Sequence, residues 1–109
     1  MLEALLGSES RERALIFIFA RQRGYPTEIA RFFETELFSI QRQLDRLERE
    51  GVLISELAGR TRLYQFNPRY AFLKELEALL DKALSLYPES DRERLLLNRR
   101  RPRRRGKPL

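Results

Sequence analysis

The fold of this chain is decided by residues 36–68, which read ELFSIQRQLDRLEREGVLISELAGRTRLYQFNP. In the first half, branched apolar residues recur at helical spacing, and Gly51 follows as a type of residue that commonly closes a helix. The members of this apolar stripe are Leu37, Ile40, Leu44 and Leu47. In the second half, residues 53–57 and 62–66 are β-prone, and the loop Ala58-Gly59-Arg60 between them suits a hairpin. The stretch therefore predicts a helix over about residues 36–50, followed at once by a β-hairpin.

Two further helices are predicted upstream of this stretch. Ser8 or Ser10 is a suitable N-cap for a helix that ends near Gly24, although residues 15–19, LIFIF, taken alone fit a buried strand equally well. Thr27 is a suitable cap for a short second helix of about two turns.

A last helix is predicted downstream, over residues 71–87, where leucines recur at helical spacing. The chain is therefore predicted to be mainly α with a small β-hairpin. The order of helix, short helix, longer helix, hairpin and helix is that of a winged helix-turn-helix with an additional C-terminal helix.

The positive charge of the chain is concentrated at one end. A length of 109 residues allows one domain, and the net charge is +6. Residues 88–109 contain nine basic and three acidic residues, whereas residues 1–87 contain thirteen of each. We therefore expect a domain over residues 1–87 and a basic, largely flexible tail over residues 88–109.

The residue types that are missing exclude several classes of function. The sequence contains neither cysteine nor histidine, which are the usual ligands of zinc and copper and the usual residues of nucleophilic and general-base catalysis. We expect no metal, no cofactor and no enzymatic activity. The chain also lacks an apolar run of membrane-spanning length and a basic signal segment, so we expect a cytoplasmic protein that does not enter a membrane.

The helix over residues 36–50 presents arginines opposite its apolar stripe. With Leu37 at 0°, Arg42 and Arg49 lie at about 140° and 120°, and the stripe is centred at about 320°. The residues flanking this direction are Phe38, Ser39 and Arg46. Arginine can pair with guanine or phosphate, so this face is suited to reading a DNA groove. The alternative is an ordinary solvated face, on which nearby acids form ion pairs with the arginines.

The hairpin adds two more basic residues, Arg60 and Arg62, at its tip. They are placed where a wing could reach phosphates or the minor groove, although charge at a sheet edge also serves to prevent aggregation. Tyr64 and Phe66 share the strand parity of Arg62, and we expect both rings to lie in the core.

Residues 36–68 resemble the recognition helix and wing of ArsR-like winged-helix regulators, and the similarity extends from Leu5 to Leu80. It is greatest to small winged-helix domains found alone or beside nucleotidyltransferase domains in bacteria and archaea. The resemblance implies sequence-specific binding of double-stranded DNA and transcriptional control. It places the groove contacts around Ser39, Gln41, Arg42 and Arg46, and it favours a helix for LIFIF.

The chain departs from this family at the entrance to the predicted recognition helix. Glu34 stands where glycine is common, and Glu36 stands where a capping serine or threonine is usual. Both acids oppose phosphate binding. The cysteine and histidine ligands of the metal-sensing members are missing from this sequence.

The helix over residues 71–87 carries more apolar surface than one small core can bury. We expect a twofold dimer in which these helices pack together and match two recognition helices to a palindromic site. The expected interface residues are Phe72, Leu73, Leu76, Leu79, Leu80, Ala83 and Leu84. The alternative is a lone helix on a broad core.

These observations predict a DNA-binding transcription regulator that acts as a dimer on double-stranded DNA, with no effector indicated. One alternative is a winged-helix module that binds proteins without reading DNA, for which the neutral body and the acids Glu34 and Glu36 argue. A second alternative is RNA binding led by the arginine-rich tail.

Overall fold

The computed structural model describes residues 1–96 of the chain. The arginine-rich part of the predicted tail, residues 97–109, lies outside the described residues. The named elements are α1 (Glu3–Leu6), α2 (Glu9–Arg21), α3 (Pro26–Phe33), α4 (Leu37–Arg49), β1 (Leu53–Ala58), β2 (Thr61–Phe66) and α5 (Leu73–Ser85). The predicted winged helix-turn-helix is confirmed, with a short helix α1 that the sequence did not predict. None of the helices within residues 1–96 is long and apolar enough to cross a membrane.

Helix α2 forms the centre of the core. Residues 14–18 are all buried, and α2 contacts α1, α3, α4, α5 and β2. The stretch LIFIF is therefore helical, and it resembles a strand only because neighbours cover the helix on nearly every side. Of the two predicted caps, Ser8 is the one used, since its Oγ accepts a hydrogen bond of 2.9 Å from the backbone N of Arg11.

Helix α4 packs against α2 and α3 through three of the four predicted stripe residues, Ile40, Leu44 and Leu47. The fourth prediction was wrong, because Leu37 is 37% exposed. Leu37 is the first residue of α4, so it lies at the margin of the core, one turn before Ile40.

The hairpin is held against the end of α2. Strands β1 and β2 pair antiparallel from Leu53–Phe66 to Ala58–Thr61, so the turn is tighter than the predicted three-residue loop. Tyr64 exchanges two backbone hydrogen bonds of 2.9 and 3.0 Å with Gly24. A Cβ at Gly24 would lie 2.9 Å from the ring of Phe17, so glycine permits this close approach. Tyr64 is buried and Phe66 is half-buried against the core, as predicted.

Two C-terminal segments close the core. Helix α5 packs on α2, and after Pro88 the residues 89–96 form a further helix, here called the C-terminal helix. Leu95 of this helix is fully buried. The Arg21 guanidinium donates hydrogen bonds of 3.2 and 3.3 Å to the carbonyl oxygens of Leu95 and Arg94. The first residues after Pro88 thus pack on the domain.

A buried carboxylate connects the two ends of the domain. Glu12 of α2 is 3% exposed, and its Oε1 accepts a hydrogen bond of 2.7 Å from the backbone N of Leu2. Its Oε2 accepts a hydrogen bond of 2.6 Å from the Tyr87 hydroxyl, just beyond α5. A buried charge is tolerated when such partners replace water.

We expect Tyr87→Phe to lower the free energy of unfolding by about 1.5–3 kcal/mol, because it removes a hydrogen bond to a charged group. Chemical denaturation measures this loss. Tyr70→Phe is the control, since the contact of Tyr70 with Phe72 is made between the rings. Equal stability of Tyr87→Phe and wild type would contradict a stabilising role for this bond.

The same contact predicts sensitivity to alkali. Burial and the bond to Glu12 both raise the pKa of the Tyr87 phenol. A raised pKa means that the folded state holds the proton more tightly than the unfolded state, so this contribution is full below about pH 10 and is lost as the pH rises. The stability difference between wild type and Tyr87→Phe should therefore shrink above that pH.

Candidate nucleic-acid interface

The outer face of α4 is exposed along its length. Burial of Ile40, Leu44 and Leu47 on one side of the helix turns the opposite side to solvent. The predicted residues that are exposed there are Phe38, Gln41, Arg42, Arg46 and Arg49, and Ser39 is half-buried at the edge. The structure thus brings the predicted helical residues together on one surface, here called the α4 face.

The arginines of the α4 face have different partners. The Arg42 guanidinium lies 5.6 Å from the ring centroid of Phe38, one turn earlier, and this contact gives the 61% exposed Phe38 a packing partner. Arg49 Nη2 lies 3.1 Å from Asp45 Oδ2 in an exposed ion pair. The Arg46 side chain makes no ion pair or hydrogen bond with any residue in the range 1–96. Exposed pairs of this kind are weak, so the arginines remain available to an anionic partner.

Two acids stand at the N-terminal end of α4. Glu34 ends α3 in the left-handed conformation with φ 53°, where glycine is the least strained residue. Glu36 occupies the N-cap position of α4, but within residues 1–96 its side chain makes no capping bond to the helix backbone. Its Oε1 instead accepts a hydrogen bond of 3.0 Å from the Ser39 hydroxyl. Ser39, which was predicted to contact the groove, is therefore hydrogen-bonded to an acid.

The wing places its two arginines differently. Arg60 is exposed in the turn, next to Gly59, which adopts a left-handed φ of 67°. Arg62 Nη1 donates a hydrogen bond of 3.2 Å to Ser55 Oγ on the neighbouring strand. Ser55 Oγ in turn donates a hydrogen bond of 2.8 Å to Glu48 Oε2 on α4. Sequence reasoning missed Ser55 and Glu48, because their partners lie on different elements.

The charged residues where the wing meets α4 affect the pKa of a buried phenol, that of Tyr64. Burial raises the pKa of Tyr64, and the nearby carboxylates Glu48 and Asp45 raise it further, while Arg62 opposes them. Tyr64 is paired with Ser55 across the hairpin. The wing and α4 therefore meet at a cluster that contains both signs of charge.

The predicted dimer residues of α5 divide into two groups. Leu80, Ala83 and Leu84 are buried in the core of the single chain, so they cannot supply partner contacts as predicted. The reason is that α5 packs directly on α2. Phe72 is 62% exposed, and Leu73, Leu76 and Leu79 are half-buried. These last four carry what remains of the predicted interface.

Comparison with known proteins identifies the fold. No family model matches the chain, and no curated protein matches it. Among solved structures, the chain is similar to a mutant of MarR from E. coli, with TM-score 0.59 and 17% identity over 89% of this chain and 69% of that chain. It is also similar to MepR, a transcription regulator of the Staphylococcus aureus multidrug efflux pump MepA, with TM-score 0.58 and 15% identity over 97% and 84% of the two chains.

A third similar structure is the adhesin competence repressor AdcR from Streptococcus pyogenes, with TM-score 0.56 and 11% identity over 98% of this chain and 89% of that chain. Identities this low show the fold alone. The neighbours are MarR-like, and the resemblance to ArsR-like regulators stays a prediction. The chain has the winged-helix fold found in transcription regulators.

We expect Glu36→Ser to raise the free energy of unfolding by about 0.5–1 kcal/mol, because serine can accept a hydrogen bond from the first turn of α4 and glutamate here does not. Glu36→Ala is the matched control, since it removes the same charge without adding a cap. If thermal unfolding shows both variants equally stable, serine adds no capping bond at this helix end.

Proposed function

We propose that the chain is a regulator of transcription that binds double-stranded DNA in a sequence-specific manner. The observation that carries the proposal is the α4 face, where Arg42, Arg46 and Arg49 are exposed on a helix whose opposite side is buried. In a winged helix this helix enters the major groove, and arginine is the residue most often used to read guanine there. The winged-helix fold of similar regulators supports the same function.

Helix α4 and the wing are proposed to contact different parts of the DNA. Gln41, Arg42 and Arg46 are proposed to contact base edges or phosphates in the groove, with Phe38 and Ser39 at the margin. Arg49 is proposed to exchange its exposed pair with Asp45 for a phosphate, which costs little. Arg60 and Arg62 of the wing are proposed to contact the neighbouring backbone.

A dimer is part of the proposal. The exposed ring of Phe72 and the half-buried Leu73, Leu76 and Leu79 form an apolar margin on α5 that a second copy would cover. The arginine-rich residues 99–105 are proposed to add binding without sequence preference. ArsR-like regulation and a cytoplasmic location belong to the same proposal.

We expect duplex affinity to fall steeply with salt, because each neutralised phosphate releases counterions and adds about 0.9 to the slope of log affinity against log salt. Fluorescence anisotropy at rising salt measures the slope. A chain cut after residue 96 should show a smaller slope, since it loses the arginine-rich segment. Affinity that stays flat between low and moderate salt would contradict phosphate binding.

We expect Arg42→Ala to weaken binding to a selected duplex by about 1–3 kcal/mol and to relax the base preference at one position. Selection of bound duplexes from a random pool gives the preferred sequence for each variant. Arg13→Ala is the control, because the Arg13 guanidinium lies over a ring, as that of Arg42 does, but Arg13 is on α2. An unchanged preference in Arg42→Ala would show that the α4 face does not read bases.

The acids Glu34 and Glu36 at the entrance of α4 favour a second candidate, a winged-helix module that binds other proteins. The pool selection separates the two candidates. Recovery of no preferred duplex by the full chain would support the protein-binding module. In a parallel selection that also contains single-stranded RNA, preferential recovery of the RNA would support RNA binding through the tail.

A further inference from the structure

A single hydroxyl connects the wing to α4. Ser55 Oγ on β1 donates its hydrogen to Glu48 Oε2 on α4 at 2.8 Å and accepts a hydrogen bond from Arg62 Nη1 on β2 at 3.2 Å. We call this chain of contacts the Glu48–Ser55–Arg62 relay. In the described part of the chain, no ion pair joins Glu48 directly to Arg62. The link between the two charged residues therefore depends on Ser55.

We infer that Ser55 is a positioning residue for DNA binding, which holds the Arg62 guanidinium at the junction of the wing and α4 so that it meets a phosphate beside the groove. This inference rests on the proposed function and names a residue through which that surface works.

The direction of each hydrogen bond supports the inference. A serine hydroxyl has one hydrogen to donate and lone pairs to accept with. Its hydrogen is committed to the Glu48 carboxylate, so the lone pairs are turned toward Arg62. The carboxylate also polarises the hydroxyl, which strengthens its bond to the guanidinium. The relay thus holds the Arg62 side chain in one orientation before DNA binds. Less side-chain entropy is then lost on binding.

The relay leaves the charge of Arg62 available. A guanidinium has five N–H donors, and the relay uses one of them. Because the hydroxyl separates Arg62 from Glu48, the guanidinium is oriented without being neutralised by a direct ion pair. Arg62 is itself exposed, so its remaining donors can reach a phosphate.

The burial of the junction fits the same role. Ser55 and Glu48 are half-buried, so water competes less for their hydrogen bond than at an exposed site. Tyr64, which is buried and paired with Ser55, supports the hairpin beneath the relay. The relay therefore begins at partly buried residues beside the core and ends at an exposed cation.

A double-mutant cycle in the full chain tests the inference. Ser55→Ala, Arg62→Ala and the double variant are compared with wild type for binding to the duplex selected by the wild-type chain. We expect Ser55→Ala to weaken binding about three- to tenfold and to reduce the salt slope by roughly 1, because one phosphate contact is lost. In the Arg62→Ala background, Ser55→Ala should cause no further weakening.

Two further variants separate positioning from folding. Ser55→Thr keeps the hydroxyl on a residue suited to a strand, so it should restore the affinity and the slope. Thr61→Ala removes a hydroxyl that lies on the same hairpin outside the relay, and it should leave both unchanged. Thermal unfolding of each variant shows whether the hairpin is intact.

The outcomes distinguish the inference from the function on which it rests. If wild type binds the duplex and Ser55→Ala binds it equally well, the relay does not position Arg62. The same conclusion follows if Ser55→Ala lowers the affinity as much in the Arg62→Ala background as in wild type. If wild type selects no duplex, the proposed function fails and the inference fails with it.

Discussion

The packing of α4 on α2 is the constraint on which the rest of the structure depends. Ile40, Leu44 and Leu47 are buried against a central helix that is itself covered on nearly every side. This burial sets the rotation of α4 about its own axis, and the rotation alone determines which side chains face outward. The exposed arginines of the α4 face are a geometric consequence of the apolar stripe.

Polar contacts then connect elements that the core brings together. Glu12 joins the N-terminal segment to Tyr87, Ser55 joins the wing to α4, and Arg21 joins α2 to the C-terminal helix. Each of these groups is at least partly withdrawn from water and has partners on another element. Because hydrogen bonds are more directional than the packing of apolar side chains, such contacts fix how the elements lie against one another.

The acidic residues near α4 moderate its positive charge. Asp45 pairs with Arg49, Glu48 faces the wing, and Glu36 accepts a bond from Ser39. Because Arg49 must leave or share Asp45 to bind phosphate, and because the other acids repel phosphate, these residues oppose the binding of any polyanion without regard to sequence. A surface of this kind favours contacts in which several arginines are satisfied at once.

Much of the fold could be predicted from local patterns. The stripe of α4, the glycine at the hairpin turn and the leucines of α5 gave element types close to those observed, because each depends on residues near in sequence. The exposure of Phe38, Arg42 and Arg46 followed from helical geometry once the stripe was recognised. The residues of the α4 face were therefore predictable, although Leu37 of the apolar stripe lies at the margin of the core rather than inside it.

The remaining features required the tertiary structure. Burial of Leu80, Ala83 and Leu84 within one chain depends on how α5 meets α2, and a sequence pattern cannot tell which partner covers an apolar face. The bonds of Glu12 to Tyr87 and of Ser55 to Glu48 and Arg62 link residues on different elements. The sequence by itself determined most of the elements and their amphipathic faces, because periodicity is local. Only the tertiary structure decided which faces meet and which polar atoms become partners, because those contacts depend on the packing of the whole domain.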